Sequence, residues 1–282
     1  MPVENLKLEY LNLSHSKLRT LDLGSTPNLC TLLLEGCYDL VEIKAPVGCL
    51  RNLAILDLSG CGSFMSFLFD KQLDSHLIAE PTNVCPLHSE NNLPKLKFPC
   101  FYREDPGNIP EAPRDLDQLE GLEELMFSST KIRNLPDSIC MLMHLKAIRL
   151  KSCWHLEKLP EDLGRLQCLE ELDLTECIVL RDIPNSICQM KSLKYFHLPY
   201  CFLVEKLPEE IGSLKRLEEL NIEGAGISHL PQSIFQLKRL CIVGFTWQLQ
   251  SYGFKSVIQT STYVSFAYTS YHSTANHLEK PV

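Results

Sequence analysis

The residues of this chain that could do chemistry are its 13 cysteines, its nine histidines and several pairs of adjacent acidic residues. Cys85 and His88, with Cys100 downstream, have the local spacing of a zinc site, but the sequence offers no clear fourth ligand. The sequence contains no phosphate-binding GxxxxGK[ST] loop, no GxSxG nucleophile motif and no HExxH zinc motif. We therefore expect no metal site, no cofactor and no catalytic residue.

The histidines and acidic pairs are better explained as surface positions of a repeating unit. His144, His155, His197 and His229 fall on exposed or loop positions, and no Cys or Ser partner recurs at a fixed offset from them. The pairs Glu170–Glu171 and Glu218–Glu219 occupy the same place in two copies of the unit, where a strand begins. The prediction is a protein that is not an enzyme.

The spacing of the leucines defines the repeating unit. Copies begin at Leu8, Leu29, Leu53, Leu122, Leu145, Leu169, Leu193 and Leu217, and a weaker copy begins at Leu240. From Leu122 onward the steps are 23 or 24 residues, and the shared pattern is LxxLxLxxC followed by LPxxIxxLxxL. Self-similarity at this period indicates a solenoid, and this pattern is a leucine-rich repeat.

Each copy changes its hydrophobic period once. Apolar residues two apart, such as Leu172 and Leu174, predict a short strand with one buried face. Apolar residues three apart, such as Ile139, Leu142 and Leu145, predict a short α or 3-10 turn. Strands stack about 4.8 Å apart while helical turns need more width, so the stack must curve. The expected fold is an α/β solenoid, a horseshoe with a parallel concave sheet and short helical or 3-10 turns on the convex side.

A cysteine closes the strand segment in five copies. It occupies the ninth position of the unit at Cys37, Cys61, Cys153, Cys177 and Cys201. A small side chain there points inward and can donate weakly to a backbone carbonyl. Neighbouring strands place these cysteines about 5 Å apart, too far for the ~3.8 Å of a disulfide. We expect buried thiols, which together with an odd cysteine count predict a reducing, cytoplasmic location.

The charge balance and the lack of long apolar runs limit the kinds of partner that this chain can bind. Acidic residues outnumber basic ones and give a net charge of −8, which offers no electrostatic reason to bind nucleic acid or an anionic membrane. No apolar run approaches the ~18 residues of a membrane span. The first residues, MPVENLKLEYLNL, also lack the layout of a signal peptide.

The pattern divides the chain into four parts. Residues 1–61 hold N-terminal repeats, and residues 116–246 hold the main array. The segment between them, 62–115, is either an irregular insertion or a set of eroded repeats, and we favour the insertion. Residues 247–282 form a Ser/Thr/Tyr-rich tail that is either a capping strand or a poorly ordered end. Because the chain starts within a repeat, we expect a piece of a longer protein or a covered N-terminal end, and favour the former.

The concave face is the candidate functional surface. The residues that alternate with the buried leucines there, and that we predict to bind a protein partner, are Arg149, Lys151, Glu171, Asp173, Thr175, Tyr195, His197, Glu219, Asn221 and Glu223. They form a basic, an acidic and an aromatic row, which suits docking by charge complementarity with an aromatic anchor. Reversing the charges of Arg149 and Glu171 together is expected to change binding without unfolding the protein.

The phrases YLNLSHS, NLCTLLLEGC, ILDLSGC and SLKYFHLPYC resemble the leucine-rich-repeat region of plant intracellular disease-resistance proteins. The closest likeness is to the class that also carries a Toll/interleukin-1-receptor-like domain and a nucleotide-binding domain. The resemblance implies repeats that recognise a pathogen effector or a guarded host protein, and that also hold the nucleotide-binding domain of the receptor inactive until then. Neither of the other two domains is present in this sequence, so their nucleotide and NAD chemistry is not implied.

Two other interpretations remain. A cytosolic scaffold of the Ras-related group shares LPxxIxxLxxL, but that group prefers Asn where this chain has Cys. An extracellular receptor ectodomain would show a signal peptide, flanking cysteine pairs and LTGxIP phrases, and this sequence shows none of the three.

Overall fold

The computed structural model describes residues 7–24, 26–70, 116–254 and 274–277. The strands, in chain order, are β1 (Tyr10–Asn12), β2 (Thr20–Asp22), β3 (Thr31–Leu33), β4 (Glu42–Pro46), β5 (Ile55–Asp57), β6 (Ser66–Asp70), β7 (Glu124–Met126), β8 (Ala147–Arg149), β9 (Glu171–Asp173), β10 (Tyr195–His197), β11 (Glu219–Asn221), β12 (Cys241–Gly244) and β13 (Thr274–His277). Within these residues the strands form two sheets. The larger has ten strands in the order β1-β3-β5-β7-β8-β9-β10-β11-β12-β13, and all its pairs are parallel except the last.

Each repeat contributes the residue at its strand centre to the core of the large sheet. Leu172 pairs in register with Phe196, and Phe196 pairs with Leu220 on the next strand. Those three side chains are fully buried, as are Leu174 and Leu198 two residues after the strand centres. The predicted alternation therefore holds, and stacked repeats bury jointly the leucines that one repeat alone would expose.

The opposite side of the main array carries short 3-10 turns. They are η1 (Leu116–Gln118), η2 (Asp137–Met141), η3 (Leu163–Arg165), η4 (Asn185–Gln189), η5 (Ile211–Ser213) and η6 (Gln232–Gln236), and a six-residue α-helix, α1 (Thr246–Ser251), follows the last repeat. Apolar residues three apart favour the 3-10 form, because side chains at i and i+3 then lie on one face. The predicted fold class is confirmed: the chain is a leucine-rich-repeat solenoid.

The N-terminal repeats differ from this plan in a way that the sequence analysis missed. In place of 3-10 turns, β2, β4 and β6 form a second, three-stranded parallel sheet. These repeats lack the LPxxIxxLxxL phrase, and their residues alternate instead, with Ile43, Ala45 and Phe67 buried. An apolar period of two residues favours a strand over a turn, so the sequence does contain the signal for the second sheet.

The segment 62–115 leaves the large sheet uninterrupted. Strand β5 pairs directly with β7, with Leu56 opposite Leu125. The start of the segment supplies β6, and residues 71–115 lie outside the described part of the chain. Successive strands of the large sheet therefore keep their register although the chain between them is much longer than one repeat.

The beginning of the tail covers the end of the array. Gln248 of α1 is buried, and its Nε2 donates to the carbonyl of Ala225 at 3.0 Å while its Oε1 accepts from the amide of Gly224 at 3.3 Å. The Tyr252 hydroxyl donates to the carbonyl of Ile227 at 2.5 Å. These side chains satisfy backbone groups that a further repeat would otherwise satisfy. Strand β13 adds to β12, whereas the strand-like pattern at 264–268 lies outside the described residues.

The eighth position of the repeat has a left-handed backbone. The residues there are His15 (φ 60°), Gly36 (69°), Gly60 (73°), Ser129 (57°), Ser152 (57°), Glu176 (61°), Tyr200 (59°) and Gly224 (67°). This conformation directs the amide toward the next repeat; the amide of Ser129, for example, donates to the carbonyl of Lys151 at 2.6 Å. Glycine adopts the conformation without strain, whereas other residues pay about 1–2 kcal/mol.

We expect Ser129→Gly to raise the free energy of unfolding by about 0.5 kcal/mol, because relief of the left-handed strain exceeds the added entropy of the unfolded chain. Gly60→Ala is expected to lower it by about 1 kcal/mol, since the same strain is introduced at φ 73°. Urea denaturation of the two variants beside the parent measures both values. Changes of the same sign in both variants would contradict this explanation of the eighth position.

Candidate protein-binding face

The ten residues predicted to bind a partner lie together on adjacent strands β8 to β11 and the residues that follow them. We call the side of the ten-stranded sheet opposite the leucine core the open sheet face. The strands place one residue before and one residue after each buried centre on this face. In β9, for example, Glu171 and Asp173 flank the buried Leu172.

Arg149 is the centre of an ion-pair network on the open sheet face. Its Nε and Nη2 donate to the two carboxylate oxygens of Glu171 at 2.9 and 2.5 Å, and its Nη1 donates to Glu124 at 2.9 Å. The hydrogen bond to Glu171, followed by that to Glu124, raises the pKa of the guanidinium. A fork-shaped guanidinium held between two carboxylates has a fixed orientation. Arg149 therefore presents a rigid, largely neutralised group.

Asp173, Thr175 and Asn221 mainly shape the backbone beside the face. Asp173 is only 5% exposed, and its Oδ1 accepts from the amide of Thr175 at 3.0 Å and from its hydroxyl at 2.6 Å. Asn221 accepts in the same way from the amide of Glu223 at 3.1 Å. Such a turn fixes the chain where the strand ends. Lys151 Nζ lies 4.0 Å from Asp173 Oδ2 and remains more than half exposed.

His197 stands among acidic side chains. Its Nε2 lies 3.2 Å from Glu219 Oε1, a contact that suits an ion pair more than an aligned hydrogen bond. Burial of the imidazole lowers its pKa, but the contact with Glu219 and the charges of Asp173 and Glu171 outweigh burial. The pKa of His197 is therefore raised above 6.5. The face gains positive charge there in mildly acidic solution.

We expect His197 to make folding stability depend on pH near neutrality. A group whose pKa is raised in the folded state contributes its full stabilisation below its unfolded pKa of about 6.5 and loses it as pH rises through the folded pKa. Unfolding free energies should therefore fall as pH increases from about 6.5, and His197→Gln should remove that slope. NMR titration of the ring would give a pKa above 6.5 in the parent and a lower one in Glu219→Gln. A parent pKa at or below 6.5 would refute the ion pair.

The neighbouring surface is aromatic and acidic. Tyr195 is 38% exposed, and its ring centroid lies 6.4 Å from that of His197. Glu219 on the next strand is partly exposed, and Glu223 accepts a hydrogen bond from the Tyr200 hydroxyl at 2.8 Å. Burial, followed by this bond, raises the pKa of Tyr200 to about 12, so its hydroxyl stays a donor. The arrangement offers carboxylates and an aromatic surface to a partner.

The ninth-position cysteines are structural. All five are buried, and the thiol of each donates to a carbonyl of the preceding repeat, at distances of 3.1 to 3.3 Å. Burial raises the pKa of Cys61 and of Cys201 to about 12, so neither thiol ionises at neutral pH. The carbonyl contact predicted for this position is thus observed. Cys85, His88 and Cys100 lie outside the described residues, and the described part of the chain holds no His/Cys/Asp/Glu group suited to a metal ion.

An ion-pair ladder beside the open sheet face escaped the sequence analysis. At the second position of the repeat, Lys146 Nζ lies 2.7 Å from Glu123, and Lys194 Nζ lies 2.7 Å from Glu170. The negative charge of Glu170 also attracts Lys146. Acidic and basic side chains therefore alternate at the starts of four neighbouring strands, β7 to β10. The signal was available, because Glu and Lys alternate at this position from Glu123 to Glu218. Considered only as members of acidic pairs, Glu170 and Glu218 predict solvated positions and not ion pairs.

Comparison with known proteins identifies the repeats. A family model described as a leucine-rich repeat region matches residues 173–256. The chain is 31% identical over 186 residues to TMV resistance protein N of Nicotiana glutinosa, which covers 61% of this chain and 16% of that protein. It is 29% identical over 160 residues to disease resistance protein RPP2A of Arabidopsis thaliana, which covers 55% of this chain and 10% of that protein. The chain thus spans about a sixth or less of the length of these relatives.

A solved structure supports the same fold. The Arabidopsis receptor kinase HAESA, in complex with the peptide hormone IDA and the co-receptor SERK1, matches over 83% of this chain and 33% of its own, with 19% identity and a TM-score of 0.52. The predicted relationship to the repeat regions of plant disease resistance proteins is confirmed. Among the described residues, no helix has the length and apolar character needed to cross a membrane.

Proposed function

We propose that this chain is the protein-recognition part of a plant immune receptor, and that the open sheet face binds the recognised protein. The observation that carries the proposal is the neighbourhood of Tyr195, His197 and Glu219, an exposed aromatic side chain beside a titratable ring and a carboxylate on adjacent strands. The rigid Arg149 network borders this neighbourhood and gives it a defined shape. Leucine-rich repeats generally act as non-catalytic interaction modules.

The partner that fits the proposal is a pathogen effector or a host protein that the receptor monitors. The relatives are named for disease resistance, which supports recognition of this kind. The carboxylates of Glu219 and Glu223 favour a partner surface with Lys or Arg, and Tyr195 favours an aliphatic or cationic side chain against its ring. We place this recognition in the cytoplasm.

Binding by this face can be measured in plant extracts with the immobilised chain. We expect the double variant Tyr195→Ala/Glu219→Lys to retain a specific partner at least about tenfold less than the parent, because it removes the anchor and reverses a charge. The matched control is Met141→Ala/Glu161→Lys, which truncates one large exposed side chain and reverses one acidic charge on the turn side. Equal retention by the parent and both variants would refute the proposal.

We further propose that the repeats regulate a nucleotide-binding domain, as the resemblance to resistance proteins implies. Co-expression with such a domain from a related receptor tests this step. Co-purification together with slower nucleotide exchange would support regulation. A failure of this test alone would leave recognition by the open sheet face intact.

A further inference from the structure

Five basic side chains cluster where three successive repeats approach the large sheet. They occupy the two positions that precede the first leucine of each repeat: Lys191 before Leu193, Lys215 and Arg216 before Leu217, and Lys238 and Arg239 before Leu240. The following strands β10, β11 and β12 are direct neighbours, so these residues lie side by side along one edge. We call this group the amino-edge patch.

The amino-edge patch is exposed and largely without acidic partners. All five residues are exposed to solvent. Within the described residues, Lys191, Arg216, Lys238 and Arg239 form no ion pair. Lys215 Nζ donates to the carbonyl of Gly212 in η5 at 2.7 Å, so its charge lies beside that turn. By contrast, Lys146 and Lys194 in the nearby ladder are each paired with a glutamate at 2.7 Å.

The patch is confined to the last repeats. The two preceding repeats carry Met143 with His144, and Gln167 with Cys168, at the same two positions. The repeat therefore does not require basic residues there for folding. Clustered like charges repel one another, so their concentration at one place disfavours the isolated protein slightly. An oppositely charged partner would remove that repulsion.

We propose that the amino-edge patch binds an acidic segment of a partner protein, independently of the open sheet face. Three strands at a spacing of about 4.8 Å span roughly 10 Å, which an extended segment of about three or four residues covers at ~3.4 Å each. Guanidinium and ammonium groups along this length match carboxylates of Asp and Glu. A nucleic acid fits less well than a short acidic segment, because it would extend beyond the patch along a chain whose net charge is −8.

The test compares two triple variants that change net charge equally. Lys191→Glu/Arg216→Glu/Arg239→Glu alters the amino-edge patch, and Lys158→Glu/Arg181→Glu/Lys206→Glu alters exposed cations before the turns. Fluorescence anisotropy with a labelled polyglutamate peptide should show binding by the parent and by the control, and about tenfold weaker binding by the patch variant. Thermal unfolding confirms that each variant is folded. If a charge-reversal variant does not fold, the variant with Gln instead of Glu at the same three positions takes its place.

Three outcomes would overturn the proposal. The first is no binding of polyglutamate by the parent at low ionic strength, where exposed charges are least screened. The second is an equal loss in both triple variants, which would show an effect of net charge alone. The third is that the parent binds single-stranded DNA more tightly than polyglutamate and that the patch variant loses this DNA binding. That result would assign the patch to nucleic acid. Tyr195→Ala, which alters the open sheet face without changing its charge, should bind polyglutamate like the parent.

Discussion

Gly164→Ala is expected to lower the free energy of unfolding by about 3 kcal/mol, the upper end of what overpacking usually costs. A Cβ at Gly164 would lie 1.9 Å from the backbone carbonyl oxygen of Ser186, and one at Gly212 would lie 2.0 Å from that of Ser233. The glycine amides donate to the hydroxyls of the same serines at 3.1 and 3.0 Å. Adjacent turns thus interlock through a glycine and a serine, and a methyl group must push them apart.

Gly62→Ala is the matched control for this prediction. Its added Cβ would meet only the Cε of Lys131 at 3.6 Å, the flexible end of a side chain. Thermal or urea unfolding of the variants gives the comparison, and Gly212→Ala should behave like Gly164→Ala. If Gly164→Ala and Gly62→Ala had equal stability, close contact between turns would not limit how the repeats stack.

Arg149→Glu is expected to destabilise the protein by about 2 kcal/mol and to weaken partner binding. The change removes three charge-assisted hydrogen bonds and places a third carboxylate between Glu124 and Glu171. The side chain of Arg149 is about one third exposed, so solvent screens part of the effect. Urea unfolding measures the stability, and surface plasmon resonance with an identified partner measures the binding.

The double variant Arg149→Glu/Glu171→Arg separates the two effects. Exchanging the residues rebuilds an ion pair across β8 and β9, so about half or more of the lost stability should return. Binding should stay weak, because the partner meets the charges in exchanged positions. Recovery of neither stability nor binding would show that the network cannot be inverted. Recovery of both would show that the partner does not read these charges.

The sequence was most informative where one letter recurs with the repeat. The spacing of leucines predicted the strands, their buried centres and the 3-10 turns, and the ninth-position cysteines predicted the carbonyl contacts. Repetition allowed this, because each position is sampled many times and local preferences agree with the fold. The second sheet does not follow from the repeated phrase, because the repeats that form it lack LPxxIxxLxxL and carry instead an alternation around Ile43 and Ala45.

Contacts between repeats were harder to predict. The interlock of Gly164 with Ser186 joins residues 22 positions apart, and its geometry depends on how closely two turns approach. The same holds for Arg149, whose carboxylate partners lie on both neighbouring strands. The sequence predicts that Arg149 and Glu171 share one face, but only the structure shows that Arg149 is already paired with carboxylates on both sides.

Site-specific photocrosslinking tests recognition by the open sheet face most directly. A photoreactive phenylalanine analogue would replace Tyr195 on that face in one sample and Met141, which is 54% exposed on the turn side, in another. After irradiation in plant extract, we expect a covalent adduct with a discrete protein from position 195 and none from position 141. Adducts from position 141 alone, or identical adducts from both positions, would contradict recognition by this face.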